Sequence, residues 1–273
     1  MSISAHTATS PIAPEQLVLL RDLVDQLLNE RGAAPAQPVP DANLWPTFRA
    51  LVNTRPPVPA SPEFLAGQDR LLRGLIAQKG VTKLEDLAPL AADPRLHLWR
   101  GDITTLAVDA IVNAANSQML GCWVPGHHCI DNAIHTFAGV QLRLECAGLM
   151  EAQGHDEPTG QAHITGAYNL PARHILHTVG PIVENGRPSR RQREQLASCY
   201  TSCLDLAAEQ GLRSVAFCSI STGVFGFPIE AAVPIAVTAV QSWLDEHPET
   251  ETTVVFDVFS EHDEQVYRRV LAK

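Results

Sequence analysis

Residues 108–135 read VDAIVNAANSQMLGCWVPGHHCIDNAIH, and this stretch decides the fold. Residues 110–115 form a short apolar run without a charge, as expected of a central strand covered on both faces of a sheet. Asn116-Ser117 is a turn pair that takes the chain out of the strand. After a polar loop, residues 131–149 carry the pattern of a helix. In open α/β sheets ligands sit just past the carboxyl ends of strands, so this loop is a site by position as well as by composition.

The loop holds Cys122, His127, His128 and Cys129. Cys-x4-His-x-Cys supplies three soft or borderline donors within eight residues, a set suited to zinc. Extended residues alternate faces, so His127 and Cys129 point one way and His128 the other. The expected ligands of one zinc per chain are Cys122, His127 and Cys129, with His128 outside. No fourth ligand is evident close by. Structural zinc uses four protein ligands, whereas catalytic zinc keeps one position open. The competing reading is two buried thiols and two surface imidazoles.

Working outward, the chain has 273 residues, enough for one large or two smaller domains, and its 45% hydrophobic content supports a real core. The formal charge is 20 − 30 = −10, which argues against a general nucleic-acid or anionic-membrane binder. One small anion held by backbone groups stays compatible with it. Six cysteines in a chain of this length, two of them in the metal-like loop, are not a disulfide framework, and a reducing cytoplasm is expected. No segment reaches the roughly 18 apolar residues of a membrane span.

Residues 1–13 read as a loose leader with neither a basic n-region nor an apolar h-region. Pro14 opens a helical pattern with Leu17, Leu20, Val24, Leu27 and Leu28 on one face, stopped by Gly32. The proline-rich residues 33–61 read as a folded-back connector, because Leu44, Trp45, Phe48 and Leu51 need burial. Ser61-Pro62 is an N-cap and N1 pair for a second helix, with Leu65, Leu72, Leu75 and Ile76 on its stripe and Gly80 at its end. Residues 1–90 are therefore an α-helical extension packed on the rest, expected to serve stability more than chemistry. Residues 91–273 alternate: strands at 96–100, 108–115, 163–170, 174–179, 214–219 and 252–259, and helices at 131–149, 190–210, 231–244 and 262–271. That order gives a mostly parallel, three-layer α/β/α domain.

A second loop carries chemistry. Residues 219–228, SISTGVFGFP, have no charge, two glycines and three hydroxyls between a strand and a helix. Inward-turned backbone N–H groups with a helix N-terminus hold phosphate without lysine. Phe225 and Phe227 could stack on a sugar or base. An ordinary tight turn with core phenylalanines is the alternative.

Three pieces in this order, GDITTLAVDAIVNAAN (101–116), CIDNAIH (129–135) and STGVFGFP (221–228), resemble the macrodomain family of ADP-ribose-binding modules. HTVGP (177–181) also fits. The metal loop and the helical extension resemble its zinc-containing protein-ADP-ribose hydrolase subfamily. The resemblance implies an α/β/α macrodomain with a mixed, mostly parallel sheet. It implies that Asp102 receives the adenine amino group, with backbone contact at Ile103, and that Asn116 faces the distal ribose. It places the diphosphate on the backbone of Ser221, Thr222, Gly223, Val224, Phe225 and Gly226, with Phe225 beside the distal ribose. Asp131 matches an acidic residue at the start of the helix after the first loop, and with Asn116 forms the catalytic expectation. Where other macrodomains have a glycine-rich loop, residues 121–129 carry the metal cluster, so contacts of that loop do not transfer.

Each residue also has an ordinary reading. Asp102 could cap a turn, Asn116 a strand exit, and Asp131 could serve the helix dipole. His135 reads as packed, Cys146, Cys199, Cys203 and Cys218 as core thiols, and His163, His174 and His177 as structural. The function implied is zinc-dependent removal of ADP-ribose from mono-ADP-ribosylated protein side chains. The alternatives are a non-catalytic reader of ADP-ribosylated protein and an O-acetyl-ADP-ribose deacetylase. A cysteine hydrolase fits less well, since no separate His/Asp pair is evident. The resemblance also implies a functional link to a sirtuin-type ADP-ribosyltransferase as writer, which nothing in these residues displays.

Overall fold

The computed structural model describes residues 12–33 and 37–272, so most of the expected leader lies outside the described residues. The extension comprises α1 (Pro14–Glu30), α2 (Asp41–Asn53) and α3 (Pro62–Lys79). α1 starts with proline at its first position. α3 starts where the Ser61 hydroxyl accepts the Phe64 N–H at 3.1 Å. The expected connector is corrected here, because nearly half of it is the helix α2. Leu44, Phe48 and Leu51 recur at helical spacing and are all buried, and that burial outweighs the penalty of Pro46 inside the helix.

Short strands β1 (Thr82–Lys83) and β3 (Leu106–Ala107) pair in a small parallel sheet on either side of β2 (Leu96–Arg100) in sequence. Then come β4 (Ala110–Ala115), α4 (Ile130–Ala138), α5 (Val140–Gln153), β5 (Ala162–Gly166), β6 (His174–Val179), α6 (Arg190–Glu209), β7 (Ser214–Phe217), α7 (Ile229–Glu246), β8 (Thr253–Val258) and α8 (Glu261–Leu271). The single helix expected over 131–149 is two. Gly139 breaks it at φ 105°. Gln68 of α3 plugs the break: its Oε1 accepts the Val140 N–H at 2.9 Å. A Cβ at position 139 would meet the Gln68 side chain at 2.5 Å.

The main sheet has the order β2-β8-β7-β4-β6-β5. All neighbours are parallel except the edge strand β5, which runs antiparallel to β6. Helices flank it: α4 lies on β4, α5 on β5, α6 on β5 and β6, α8 on β2. β4 is central, which explains its uncharged sequence. Leu20 and Leu23 of α1, Phe48 of α2 and Leu72 of α3 join one continuous apolar core with Ile111, Val112, Val215 and Val255 of the sheet. Among the described residues no helix is long and apolar enough to cross a membrane.

Candidate active site

Because five strands are parallel, their carboxyl ends lie along one edge, and the loops after β2, β4 and β7 meet there. After β4, Asn116 holds the turn. Its Oδ1 accepts the Gln118 N–H at 3.0 Å and its Nδ2 donates to the Gly121 carbonyl at 3.1 Å. Gly121 sits at φ 77°, with the His135 ring 2.7 Å from where a Cβ would be. Only glycine allows the loop to lie this close to α4.

The loop then brings Cys122, His127 and Cys129 together, half-buried, with one donor atom of each within 4.8 Å of the others. His128 is exposed and stands outside the group. The Cys122 Sγ to His127 Nδ1 distance is 3.6 Å. Tetrahedral zinc with ordinary Zn–S and Zn–N bonds separates such atoms by about 3.5 Å, so the donor set fits that ion. Cys129 also caps α4, its Sγ accepting the Asn132 N–H at 3.4 Å. Burial, with Cys122 and Asp131 nearby, pushes the Cys129 thiol up to about 12. A thiol held protonated in this way is a poor unassisted nucleophile and becomes a thiolate when a cation displaces its proton.

Asp131 lies in the first turn of α4, almost fully buried. Its carboxylate accepts from Asn113 Nδ2 at 2.8 Å and from Asn116 Nδ2 at 3.4 Å. His135, one turn on, is 3.6 Å away. Burial raises the Asp131 carboxyl to about 6, against the opposing pull of Asn113, Arg143 and Asn116. Behind it, His177 bridges Asn113 (3.2 Å) and Thr165 (2.9 Å) in the core. His135, Cys146 and His177 are all buried, with one donor atom of each within 4.8 Å of the others.

Past β2, Asp102 caps a single helical turn and accepts from the Thr104 N–H at 3.0 Å and the Thr104 hydroxyl at 2.6 Å. Its other oxygen meets Lys79 Nζ at 2.7 Å. Ile103 beside it is buried. Past β7, the uncharged loop is clamped to the segment after β6. The Val183 N–H donates to the Phe225 carbonyl at 2.7 Å, and a Cβ on Gly226 would lie 2.7 Å from the Val183 carbonyl. Ser221 is left-handed at φ 65°. Among the described residues, the N–H groups of Gly223, Val224 and Phe225 have no protein acceptor. The side of Gly223 opens into free space. Phe225 packs at the edge of Ala115, Met119 and Val179 and stays half-exposed, whereas Phe227 is a core residue and cannot stack on a ligand.

Several site residues carry no local signal. Asn113 orients Asp131, and Lys79, Arg49 and Asn53 reach the site loops from the extension. Asp257 on β8 is buried near Asp102 with one oxygen unpartnered. Burial, reinforced by Asp102, keeps its carboxyl well above the usual range. A lone charge in the apolar run 253–258 was the available clue to it.

The Macro domain family matches residues 112–236. The chain is 52% identical over 254 residues to a protein-ADP-ribose hydrolase of Treponema medium, covering 92% of this chain and 97% of that one. It is 49% identical over 251 residues to a protein-ADP-ribose hydrolase of Staphylococcus aureus (strain MRSA252), covering 91% and 93%. Among solved structures it is similar to the Trypanosoma brucei macrodomain in complex with ADP-ribose, with a TM-score of 0.62 and 33% identity over 81% of this chain and 94% of that one. The Oceanobacillus iheyensis macrodomain with ADP gives 0.59 and 39%, over 65% and 90%. With relatives matched along nine-tenths of its length and three loops gathered at the carboxyl edge of the sheet, the chain belongs to the Macro domain family.

Proposed function

We propose that this chain is a zinc-dependent hydrolase that removes ADP-ribose from mono-ADP-ribosylated protein side chains. The observation that carries the reading is the convergence of the Cys122, His127 and Cys129 donor atoms at the carboxyl end of β4. They stand on the same sheet edge as an uncharged loop with unpaired N–H groups. The end-to-end match to relatives named protein-ADP-ribose hydrolases supports it.

In this reading Asp102 accepts the adenine amino group, with the Ile103 backbone beside it. The loop backbone from Ser221 and Thr222 to Gly226 takes the diphosphate, through the free N–H groups of Gly223, Val224 and Phe225, which reconciles an anionic ligand with a chain of charge −10. Phe225 and Asn116 flank the distal ribose. Zinc, when bound, supplies Lewis-acid polarisation and a fixed point at that ribose. The Asp131 carboxylate, aimed by Asn113 and Asn116, holds or moves a proton near the bond to be broken.

The test is release of free ADP-ribose from a mono-ADP-ribosylated protein by the full chain. Release should stop with a chelator and return with added zinc. Tight binding without release would make the chain a reader, and turnover confined to O-acetyl-ADP-ribose would move the substrate.

A further inference from the structure

The metal loop has no regular secondary structure between Gly121 and Cys129. Its geometry comes from elsewhere. Arg49 and Asn53 lie one turn apart on α2, so they share a face. Arg49 Nη2 donates to the His127 carbonyl at 3.1 Å and to Asn132 Oδ1 at 2.8 Å. Asn53 Oδ1 accepts the Gly126 N–H at 2.9 Å and the Asn132 amide at 2.9 Å, and its own amide donates to Thr136 at 3.0 Å. Asn132 in turn donates to the Val124 carbonyl at 3.2 Å. Asn53 and Asn132 are both almost fully buried. These bonds fall on Val124, Gly126 and His127, between the Cys122 donor and the Cys129 donor.

We infer that Arg49 and Asn53 are positioning residues for the metal: they hold the loop in its ligating shape and make the helical extension a working part of the site. The inference rests on the zinc reading above.

Two physical arguments support it. First, ordering a free loop costs conformational entropy at every residue, and that cost would be taken from metal affinity if the loop were loose. Three backbone contacts from a packed helix and from Asn132 remove most of it before the ion arrives. Second, Arg49 is a half-buried cation whose acceptors are a carbonyl and an amide, and among the described residues it makes no ion pair with a carboxylate. Two thiolates, a neutral imidazole and a divalent zinc sum to zero charge, so the loaded site sets no net positive charge against this guanidinium.

The experiment measures zinc affinity of the full chain by competition with a colorimetric chelator, together with apo-protein melting. Wild type should hold zinc. Arg49→Ala should weaken zinc on the order of 10–100-fold, the usual effect of losing a group that orients a ligand. Arg49→Lys keeps the charge without the two-acceptor fork and should fall between. Asn53→Leu should weaken zinc as well. Arg21→Ala is the control: Arg21 bonds Val39 and Asp41 within the extension and touches no metal-loop residue. It should leave zinc affinity unchanged. Wild-type affinity in Arg49→Ala overturns the inference and leaves the zinc reading standing. So does an equal loss in Arg21→Ala, which would mean general loosening. A wild-type chain that binds no zinc overturns both.

Discussion

Lys79, the last residue of α3, places its ammonium 2.7 Å from the Asp102 carboxylate at the end of β2. The same ammonium lies 3.8 Å over the Phe137 ring of α4. The extension thus touches the loop after β2 through Lys79 and the Cys122–Cys129 loop through Arg49. Burial raises the Asp102 carboxyl, but Lys79 and Thr104 outweigh it, so the net shift is downward.

That shift fixes the pH behaviour of adenine recognition. A depressed carboxyl stays ionised as pH falls through the ordinary carboxylate range and is lost only below it. The share of ADP-ribose affinity that Asp102 supplies should therefore be flat between pH 7 and pH 5 in wild type. In Lys79→Met it should begin to fall at higher pH than in wild type, read by calorimetry across that range. Asp102→Ala should weaken binding by about 1.5–3 kcal/mol, the worth of a hydrogen bond to a charged group. The lower end is expected, because the carboxylate is one-third exposed.

The metal ligands can be separated by two substitutions. Elemental analysis should find about one zinc per chain, as one three-donor cluster holds one ion. Cys129→Ser should lose it and His128→Ala should keep it. Equal loss in both would remove the assignment of Cys122, His127 and Cys129.

The uncharged loop should fail when charged. Gly223→Glu meets no steric obstacle, because its side faces open space. The fold should survive while a carboxylate sits among the free N–H groups. ADP-ribose binding should drop sharply with melting temperature nearly unchanged. Retained affinity would move the diphosphate elsewhere.

Asp131→Asn keeps an oxygen for Asn113 to donate to and gives up only the longer, 3.4 Å contact from Asn116. The variant should retain zinc and bind ADP-ribose, yet release it from modified protein some 10²–10⁴-fold more slowly, the usual effect of losing a general base. A wild-type rate would assign the proton transfer to another group.

Acid stability should follow His177. Burial, with a smaller push from His163, lowers its pKa from 6.5 to about 3. The folded chain keeps this ring neutral while the unfolded chain protonates it below pH 6.5. Its contribution is whole above 6.5 and is lost progressively as pH falls from there toward 3. Melting temperature should decline over that window. His177→Gln, which can still accept from Asn113 and donate to Thr165, should flatten the decline.

The strand at 110–115 was legible because a central strand of a parallel sheet must be uncharged, and the convergence of Cys122, His127 and Cys129 because their spacing is local. Alternation along 127–129 sufficed to leave out His128. Asp102 and the 219–228 loop were legible through motif order. What stayed hidden is non-local or contradicts local propensity. Pro46 and its proline-rich surroundings masked α2, whose Leu44, Phe48 and Leu51 are helical only because a core receives them. The break at Gly139 depends on Gln68, some 70 residues earlier. For the same reason the extension read as inert: the partners of Arg49, Asn53 and Lys79 lie far along the chain. Phe227 looked like Phe225 until burial told them apart.

The place of β4 between β7 and β6 has a consequence for how the chain is made. Both neighbours are synthesised after it, β7 about a hundred residues later. At ribosomal speed that is a wait of roughly 5–20 s, and non-local parallel pairing is itself slow. Until β6 emerges Cys122 and Cys129 ride on a loop whose strand has neither of its neighbours. The nascent chain is thus the form most open to oxidation or to a stray copper ion.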